Sequence, residues 1–177
     1  MTRAEKGQLE RHDGGFRLRF ERRLPHPPER VWRALTEPRH LSAWFPTAIE
    51  GERRAGASLR FVFPGDRGPT LEGEMLAYEP CTLLEFRWNE DLLRFELEPD
   101  GDGTVVTFVN TFDELGRAAR DASGWHLCLD ALAWHMENEA TPFDFGTPWP
   151  DVHAAYIERL GPEAATIGPS EGAAPPE

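Results

Sequence analysis

Residues 27–45 decide the fold of this chain, and they read PPERVWRALTEPRHLSAWF. The first part predicts a short helix that one proline opens and another closes, because proline suits the first turn of a helix and prevents its continuation. Val31, Trp32 and Leu35 have the spacing of a single buried helical face. A second, shorter helical turn is predicted through Trp44.

Alternating apolar and polar residues on both sides of this region predict strands. The first strand carries Phe16, Leu18 and Phe20 on one face. Further alternating runs are predicted at residues 59–63, 71–78, 84–88, 93–97 and 105–112. Short turns rich in Gly, Pro, Asp and Asn join these runs, so neighbouring strands must be antiparallel, because parallel neighbours need long crossovers. We predict about six to seven strands, each with one apolar face.

After Phe112 the pattern changes to that of a helix. We predict that Ser123 caps a long helix that ends at Glu139, and that a second short helix covers residues 151–160. A sheet with one apolar face needs a cover, and the helix from Ser123 is the longest one available. The fold class predicted is therefore α+β, with an antiparallel sheet around a long C-terminal helix.

The length of 177 residues is typical of one domain with tails. We expect a flexible N-terminus over residues 1–14, a folded domain over 15–161 and a disordered tail over 162–177, which is rich in Ala, Gly, Pro and Glu. The first 25 residues contain no apolar core, and no run of about 18 apolar residues occurs, so we expect neither a signal peptide nor a membrane span. These features favour a cytoplasmic protein.

Charge and spacing exclude several kinds of function. The net charge of −12 argues against nucleic acid as a partner. Cys81 and Cys128 lie far apart, and no pair of His or Cys residues has metal-ligand spacing, so neither a metal nor another cofactor is expected. No nucleophile elbow, phosphate loop or dinucleotide-binding glycine motif occurs, and we assign no catalytic residue.

The order of these elements, with the residues that form them, resembles the START-like helix-grip (SRPBCC) superfamily. Within it, the chain resembles the branch named after the activator of the heat-shock-protein-90 ATPase. The residues that carry the resemblance are Pro28, Val31, Trp32, Leu35, Thr36, Leu41, Trp44, Phe45, Gly73, Met75, Trp88 and the helix from Gly124 to Leu132. The resemblance covers residues 16–161. It implies a sheet wrapped around the helix and, commonly, a cavity for a hydrophobic ligand between them.

A candidate ligand site follows from the faces that should meet. The helix offers Trp125, Leu129, Leu132 and Met136, with Cys128 and His135 at the margin, and the sheet offers Phe61, Phe63, Met75, Phe86, Trp88, Phe95, Phe108 and Asn110. Flat rings rarely fill every gap beneath a straight helix, so we predict an apolar cavity that binds a small hydrophobic molecule. The alternative is that these residues simply close-pack.

Two polar residues in this set have more than one interpretation. Asn110 either reads a polar group on a ligand or ends a strand near solvent. His135 either orients a ligand, or acts as a general base, or is a neutral histidine at the edge of the core. Three functions remain open: a carrier or sensor of a small hydrophobic ligand, a protein-interaction or chaperone-associated module, and an enzyme of cyclase, dehydratase or hydrolase type acting on a hydrophobic substrate.

The long helix has a second apolar stripe formed by Leu127, Ala131 and Trp134, which a cover on one side would not need. Either residues 141–160 fold back over this stripe, or a second copy of the chain covers it in a homodimer. We expect His126 on this helix to lie at the surface.

Overall fold

The computed structural model of the chain describes residues 6–169. The strands are β1 (Gln8–His12), β2 (Gly15–Leu24), β3 (Ala48–Glu50), β4 (Ser58–Val62), β5 (Leu71–Glu79), β6 (Leu83–Trp88), β7 (Asp91–Asp100) and β8 (Gly103–Phe112). The α-helices are α1 (Pro28–Thr36), α2 (Pro38–Trp44), α3 (Ala118–Glu137) and α4 (Trp149–Leu160). Short 3-10 helices cover Pro64–Asp66, Leu115–Arg117 and Pro162–Ala165.

The strands form one antiparallel sheet in the order β1-β2-β8-β7-β6-β5-β4-β3. The long helix α3 packs on this sheet, and the short helices α1 and α2 follow β2. The predicted α+β helix-grip fold is therefore confirmed, with eight strands in place of the six to seven expected. Buried side chains alternate along β7 and β8, as a sheet covered on one face requires.

Strand β1 corrects the prediction of a flexible N-terminus over residues 1–14. Gln8–His12 pairs with β2 through a tight turn in which Asp13 has a φ of 43° and Gly14 a φ of 80°. Two successive left-handed residues match the twist of a hairpin, and Asp-Gly is a typical sequence for such a turn. That dipeptide was the signal for β1. Residues 1–5 lie outside the described residues.

Helices α1 and α2 form as the prolines predict. The buried face of α1 carries Val31, Trp32 and Leu35, which confirms the predicted stripe. Glu37 separates the two helices with extended dihedral angles, because the residue before a proline avoids the helical region. The indole of Trp44 donates a hydrogen bond of 2.9 Å to the carbonyl of Ala34, so the two helices brace each other.

Helix α3 begins at Ala118, five residues before the predicted cap. Ser123 lies inside the helix, and its hydroxyl donates to the carbonyl of Ala119 at 2.6 Å. A serine in this position satisfies its hydroxyl within the helix, so it does not mark the helix start. The helix ends at Glu137, which leaves Glu139 just beyond its last turn.

The chain continues in ordered form past the predicted end of the domain at Gly161. The 3-10 helix Pro162–Ala165 buries Ala164. The backbone N–H of Ile167 donates to the carbonyl of Gly116 at 2.9 Å. The prediction of a disordered tail is therefore wrong for this segment, and residues 170–177 lie outside the described residues.

Candidate functional site

The interior between the sheet and α3 is filled by aromatic rings. Phe61, Phe86, Phe95 and Phe108 are all almost completely buried. Neighbouring ring centroids in this row lie 5.7 Å apart for Phe61–Phe86, 6.4 Å for Phe86–Phe95 and 4.7 Å for Phe95–Phe108. These are contact distances for aromatic pairs. The sheet face therefore close-packs at the place where the sequence predicted a gap.

The facing side of α3 also packs into the core. Leu129, Leu132 and Met136 are buried there, as predicted, and Cys128 is buried with them. Burial raises the pKa of the Cys128 thiol to about 12. The group is consequently a neutral, unreactive thiol in the folded protein.

A small gap remains at the α1 end of this interior. It has a volume of about 10 Å³ and is lined by Met75, Leu84 and Phe86 of the sheet and by Leu35 of α1. A single water molecule needs about 10–15 Å³. The gap is therefore too small for an organic ligand unless neighbouring side chains move.

Three half-buried aromatic residues and the buried Phe45 mark one edge of the packed interior, and we call Phe45, Phe63, Trp88 and Trp125 the aromatic edge. The ring centroids of Trp88 and Trp125 lie 6.1 Å apart. The centroid of Trp88 also lies 5.1 Å from that of Phe45 and 6.3 Å from that of Phe63. Trp88, Trp125 and Phe63 are each partly open to solvent.

A chain of hydrogen bonds lies behind the aromatic edge. Nε1 of Trp125 donates to Oδ1 of Asn110 at 3.2 Å, and Nδ2 of Asn110 donates to Oδ2 of Asp91 at 3.1 Å. Arg117 forms an ion pair with Asp91. Asn110 is fully buried, which excludes the interpretation as a strand-end residue near solvent.

The ion pair between Arg117 and Asp91 balances the charges within this series of hydrogen bonds. Burial of Arg117 opposes its charge, but the hydrogen bond and the charge of Asp91 outweigh that effect and raise the pKa of the guanidinium. Asp121, one turn into α3, has a raised pKa because it is buried. The aromatic edge thus combines an apolar surface with a few fixed polar groups, which is the usual composition of a small-molecule site.

A second cavity, of about 130 Å³, lies between α1, α2 and the end of α3. It is polar, and we call it the histidine cavity. Its walls carry the charged or titratable side chains of Arg30, Arg33, Arg39, His40, His135 and Glu139. Nδ1 of His40 lies 2.8 Å from Nε2 of His135. Burial, then Arg39 and His135, lower the pKa of His40.

The predicted site residues therefore fall into three places. The packed interior holds Phe61, Met75, Phe86, Phe95, Phe108, Cys128, Leu129, Leu132 and Met136, and the aromatic edge with its hydrogen-bond chain holds Phe63, Trp88, Asn110 and Trp125. His135 lies apart from both, in the histidine cavity. No local spacing pattern links His135 to His40, because 95 residues separate them.

The second apolar stripe of α3 is covered from within the chain. Leu127 and Ala131 are buried, and α4 packs against α3. Trp134 stays 40% exposed, with its indole N–H donating to the carbonyl of Thr141. His126 is 9% exposed, so the expectation of a surface histidine was wrong. Tyr156 of α4 covers His126.

The eight-stranded antiparallel sheet, the two short helices after β2 and the long helix on the sheet define a helix-grip protein of the START-like class. The chain belongs to the family described as activator of Hsp90 ATPase homolog 1-like protein, whose sequence model matches residues 25–137. A search of the curated proteins gives no match.

Several solved structures share this fold. A conserved protein of unknown function from Enterococcus faecalis, EF2215, is 24% identical, with 88% of this chain and 90% of that chain covered and a TM-score of 0.71. CalU16 from Micromonospora echinospora is 22% identical, with 88% and 97% covered and a TM-score of 0.71. A protein from Rhodobacter sphaeroides is 26% identical, with 75% and 98% covered and a TM-score of 0.59.

One property of the described part of the chain and one general property of its fold bear on function. Within residues 6–169, none of the helices has the length and apolar character needed to cross a bilayer. Proteins of this fold typically have a hydrophobic cavity between the sheet and the long helix.

Proposed function

We propose that this protein binds a small hydrophobic ligand at the aromatic edge and acts as a carrier or sensor of that ligand. The observation that supports it best is the pairing of half-buried Trp88 and Trp125 over a fully buried Asn110. Tryptophan rings supply a large apolar surface, and the buried amide supplies a polar group that can select a ligand.

Entry of a ligand requires movement of aromatic rings, since the interior is packed. Trp125 is the side chain best placed to move, because it is partly open to solvent and lies on the first half of α3. When its indole leaves Oδ1 of Asn110, that buried oxygen loses its donor. A buried acceptor without a partner is unfavourable, so a ligand that donates a hydrogen bond there is preferred.

The expected ligand is therefore a flat, largely apolar molecule with one hydrogen-bond donor. Its ring would take the place of the Trp125 indole against Trp88 and Phe45, and its donor would bind Asn110. The group offered to the ligand is the amide oxygen of Asn110, which only accepts hydrogen bonds, so a carboxylate at that end of the ligand is disfavoured.

Native mass spectrometry of the purified protein, followed by thermal unfolding with a library of aromatic and lipid-like compounds, tests this proposal. A ligand present at about 100 times its Kd stabilises the folded state by about 2.7 kcal/mol. For a chain of this length, that corresponds to a rise in Tm of roughly 5–10 °C.

Two variants show whether the response comes from the aromatic edge. Trp88→Ala should abolish the rise in Tm, because it removes the ring that the ligand would contact, whereas Trp134→Ala, which removes an exposed tryptophan away from the aromatic edge, should keep it. An unchanged Tm across the whole library, with no retained ligand, would reject the proposal. A shift that survives in Trp88→Ala would move the ligand to another site.

One observation favours a second candidate, a protein-interaction role that includes homodimerisation. Trp134 is exposed, and Phe143 lies 6.5 Å from it between ring centroids. A stable interface buries about 1,200–2,000 Å² in total, which needs more surface than this pair offers. Light scattering after gel filtration at several protein concentrations tests this role, and a monomer at all of them would exclude the dimer.

A further inference from the structure

The histidine cavity contains a donor set that no feature of the sequence pattern indicates. One nitrogen of His40, one nitrogen of His135 and a carboxylate oxygen of Glu139 all lie within 4.8 Å of one another. Two imidazoles and one carboxylate form a donor set that proteins use for zinc, with a fourth position left open. This arrangement is independent of the aromatic edge and shares no residue with it.

Two of the three donors come from helices α2 and α3, which pack together, and the third comes from the residues that follow α3. His40 lies in the first turns of α2 and is buried, so its ring is fixed by packing. His135 lies in the last turn of α3, and Glu139 follows it by four residues just past the helix end. The backbone leaves the helix at Asn138, whose φ is −135°, and Glu139 reaches the two histidines from there, with its carboxylate oxygen within 4.8 Å of their donor nitrogens.

A carboxylate behind His40 orients its ring. Oε2 of Glu37 lies 3.7 Å from Nε2 of His40, on the side of the ring away from His135. A carboxylate in this position favours a proton on Nε2, which leaves the lone pair of Nδ1 directed at His135. Histidine ligands of metals commonly have such a partner on their second nitrogen.

The distance between the two histidines is close to that of a metal site. Nδ1 of His40 and Nε2 of His135 are 2.8 Å apart, which is a hydrogen bond in the absence of an ion. Two nitrogens bound at about 2.0–2.1 Å to a tetrahedral zinc ion lie about 3.3 Å apart. His135 is only half-buried, so a small rotation of its ring supplies the difference of about half an ångström.

The arginines around the cavity have defined positions of their own. Arg39 pairs with Glu37 at 3.3 Å, and Arg30 is held by Nδ1 of His26 and by the carbonyl of Met136. Their positive charge weakens the binding of a bare cation and favours an anion or hydroxide as the fourth ligand. The metal must therefore be one that binds imidazole strongly, as transition metals do, and magnesium and calcium are excluded on chemical grounds.

We propose that His40, His135 and Glu139 bind one divalent transition-metal ion, with zinc the best fit, and that the fourth coordination position opens into the histidine cavity. The structural alternative is a histidine–histidine hydrogen bond that only joins α2 to α3.

Titration of the tag-free, chelator-treated protein with Zn²⁺ in a calorimeter, and with Co²⁺ by visible absorption, tests the proposal. We expect one ion per chain and the absorption of a four-coordinate cobalt site. His135→Gln should weaken binding at least 100-fold, and Glu139→Gln should weaken it about 10-fold or more. Glu139 is exposed, so its variant is expected to fold normally.

His12→Gln is the matched control, because His12 lies on β1 outside the cavity, and this variant should bind as the wild type does. Absence of binding at micromolar Zn²⁺, or equal binding by wild type and His135→Gln, would overturn the proposal. Binding that is lost equally in the His12→Gln control would also overturn it, since that result places the ion elsewhere.

Discussion

The hydroxyl oxygen of Tyr156 lies 2.8 Å from Nδ1 of His126 and also accepts a hydrogen bond of 2.8 Å from the backbone N–H of Gly7. This one hydroxyl therefore joins α4, α3 and the segment before β1. Nε2 of His126 lies 3.4 Å from Asp130, which fits a neutral ring that carries its proton on Nε2. The fold-back of the chain after α3 thus has a specific polar attachment in addition to apolar packing.

Replacing Tyr156 by phenylalanine should destabilise the protein by about 2 kcal/mol, because the buried N–H of Gly7 and Nδ1 of His126 both lose a partner. Urea unfolding measures the change. Tyr78→Phe is the matched control, since the hydroxyl of Tyr78 makes no hydrogen bond to any residue in the range 6–169. An equal loss of stability in both variants would contradict this role for Tyr156.

Stability should depend on pH through His126. Burial, then the charges of Arg22 and Lys6, lower the pKa of His126 from 6.5 to about 4. Below pH 6.5 the unfolded chain binds a proton that the folded protein does not. The free energy of unfolding should therefore fall as the pH drops from about 6.5 towards 4, by up to about 3 kcal/mol.

Comparison of variants isolates this effect from other groups. Asp121 and Asp130 have raised pKa values because they are buried, and they act with the opposite sign at low pH. Urea unfolding at pH 7 and pH 5 should show a smaller difference for His126→Gln than for the wild type. His12→Gln should keep the wild-type difference, and a full difference in His126→Gln would refute the assignment.

Removal of the Asp91 carboxylate should be costly, because the partly buried Arg117 loses its hydrogen-bonded partner and keeps only the Asp121 carboxylate at 3.5 Å. We expect Asp91→Ala to lose about 3 kcal/mol of stability. The exposed pair of Arg60 and Glu50 provides the control, and Glu50→Ala should change stability by less than about 1 kcal/mol. If both substitutions had the same small effect, the hydrogen-bond chain behind the aromatic edge would have little energetic weight.

Two glycines should respond to alanine in opposite directions. A Cβ atom on Gly73 of β5 would overlap the carbonyl oxygen of Arg87 on the neighbouring strand, so Gly73→Ala should destabilise by about 3 kcal/mol or more. A Cβ atom on Gly124 of α3 would have no atom of the described residues within 4 Å. Gly124→Ala should stabilise by about 1 kcal/mol, because alanine favours the helix. Thermal unfolding of both variants checks the pair of signs.

Periodicity was sufficient to predict which residues share a face. Phe61, Phe86 and Leu129 all point into the interior, because alternation along strands and the helical repeat fix the direction of each side chain relative to its neighbours. The prolines likewise located α1 and α2. These are local properties, and the sequence carries them directly.

The volume between the elements could not be predicted in the same way. Whether the rings of Phe95 and Phe108 leave a gap depends on how far the helix lies from the sheet, which no local pattern records. His126 changed from an expected surface residue to a buried one because α4 covers it. His40 and His135 meet only because α2 packs on the end of α3.

The two cysteines occupy very different surroundings. Cys81 lies in the turn between β5 and β6 and is half-buried, whereas Cys128 is enclosed on a buried face of α3 and its pKa is strongly raised. Alkylating reagents should therefore modify one sulfur in the native protein and reach the other only when α3 separates from the sheet. The rate at which a doubly modified chain appears in mass spectra taken over time would therefore report the rate of that opening. A bound ligand would change the opening rate.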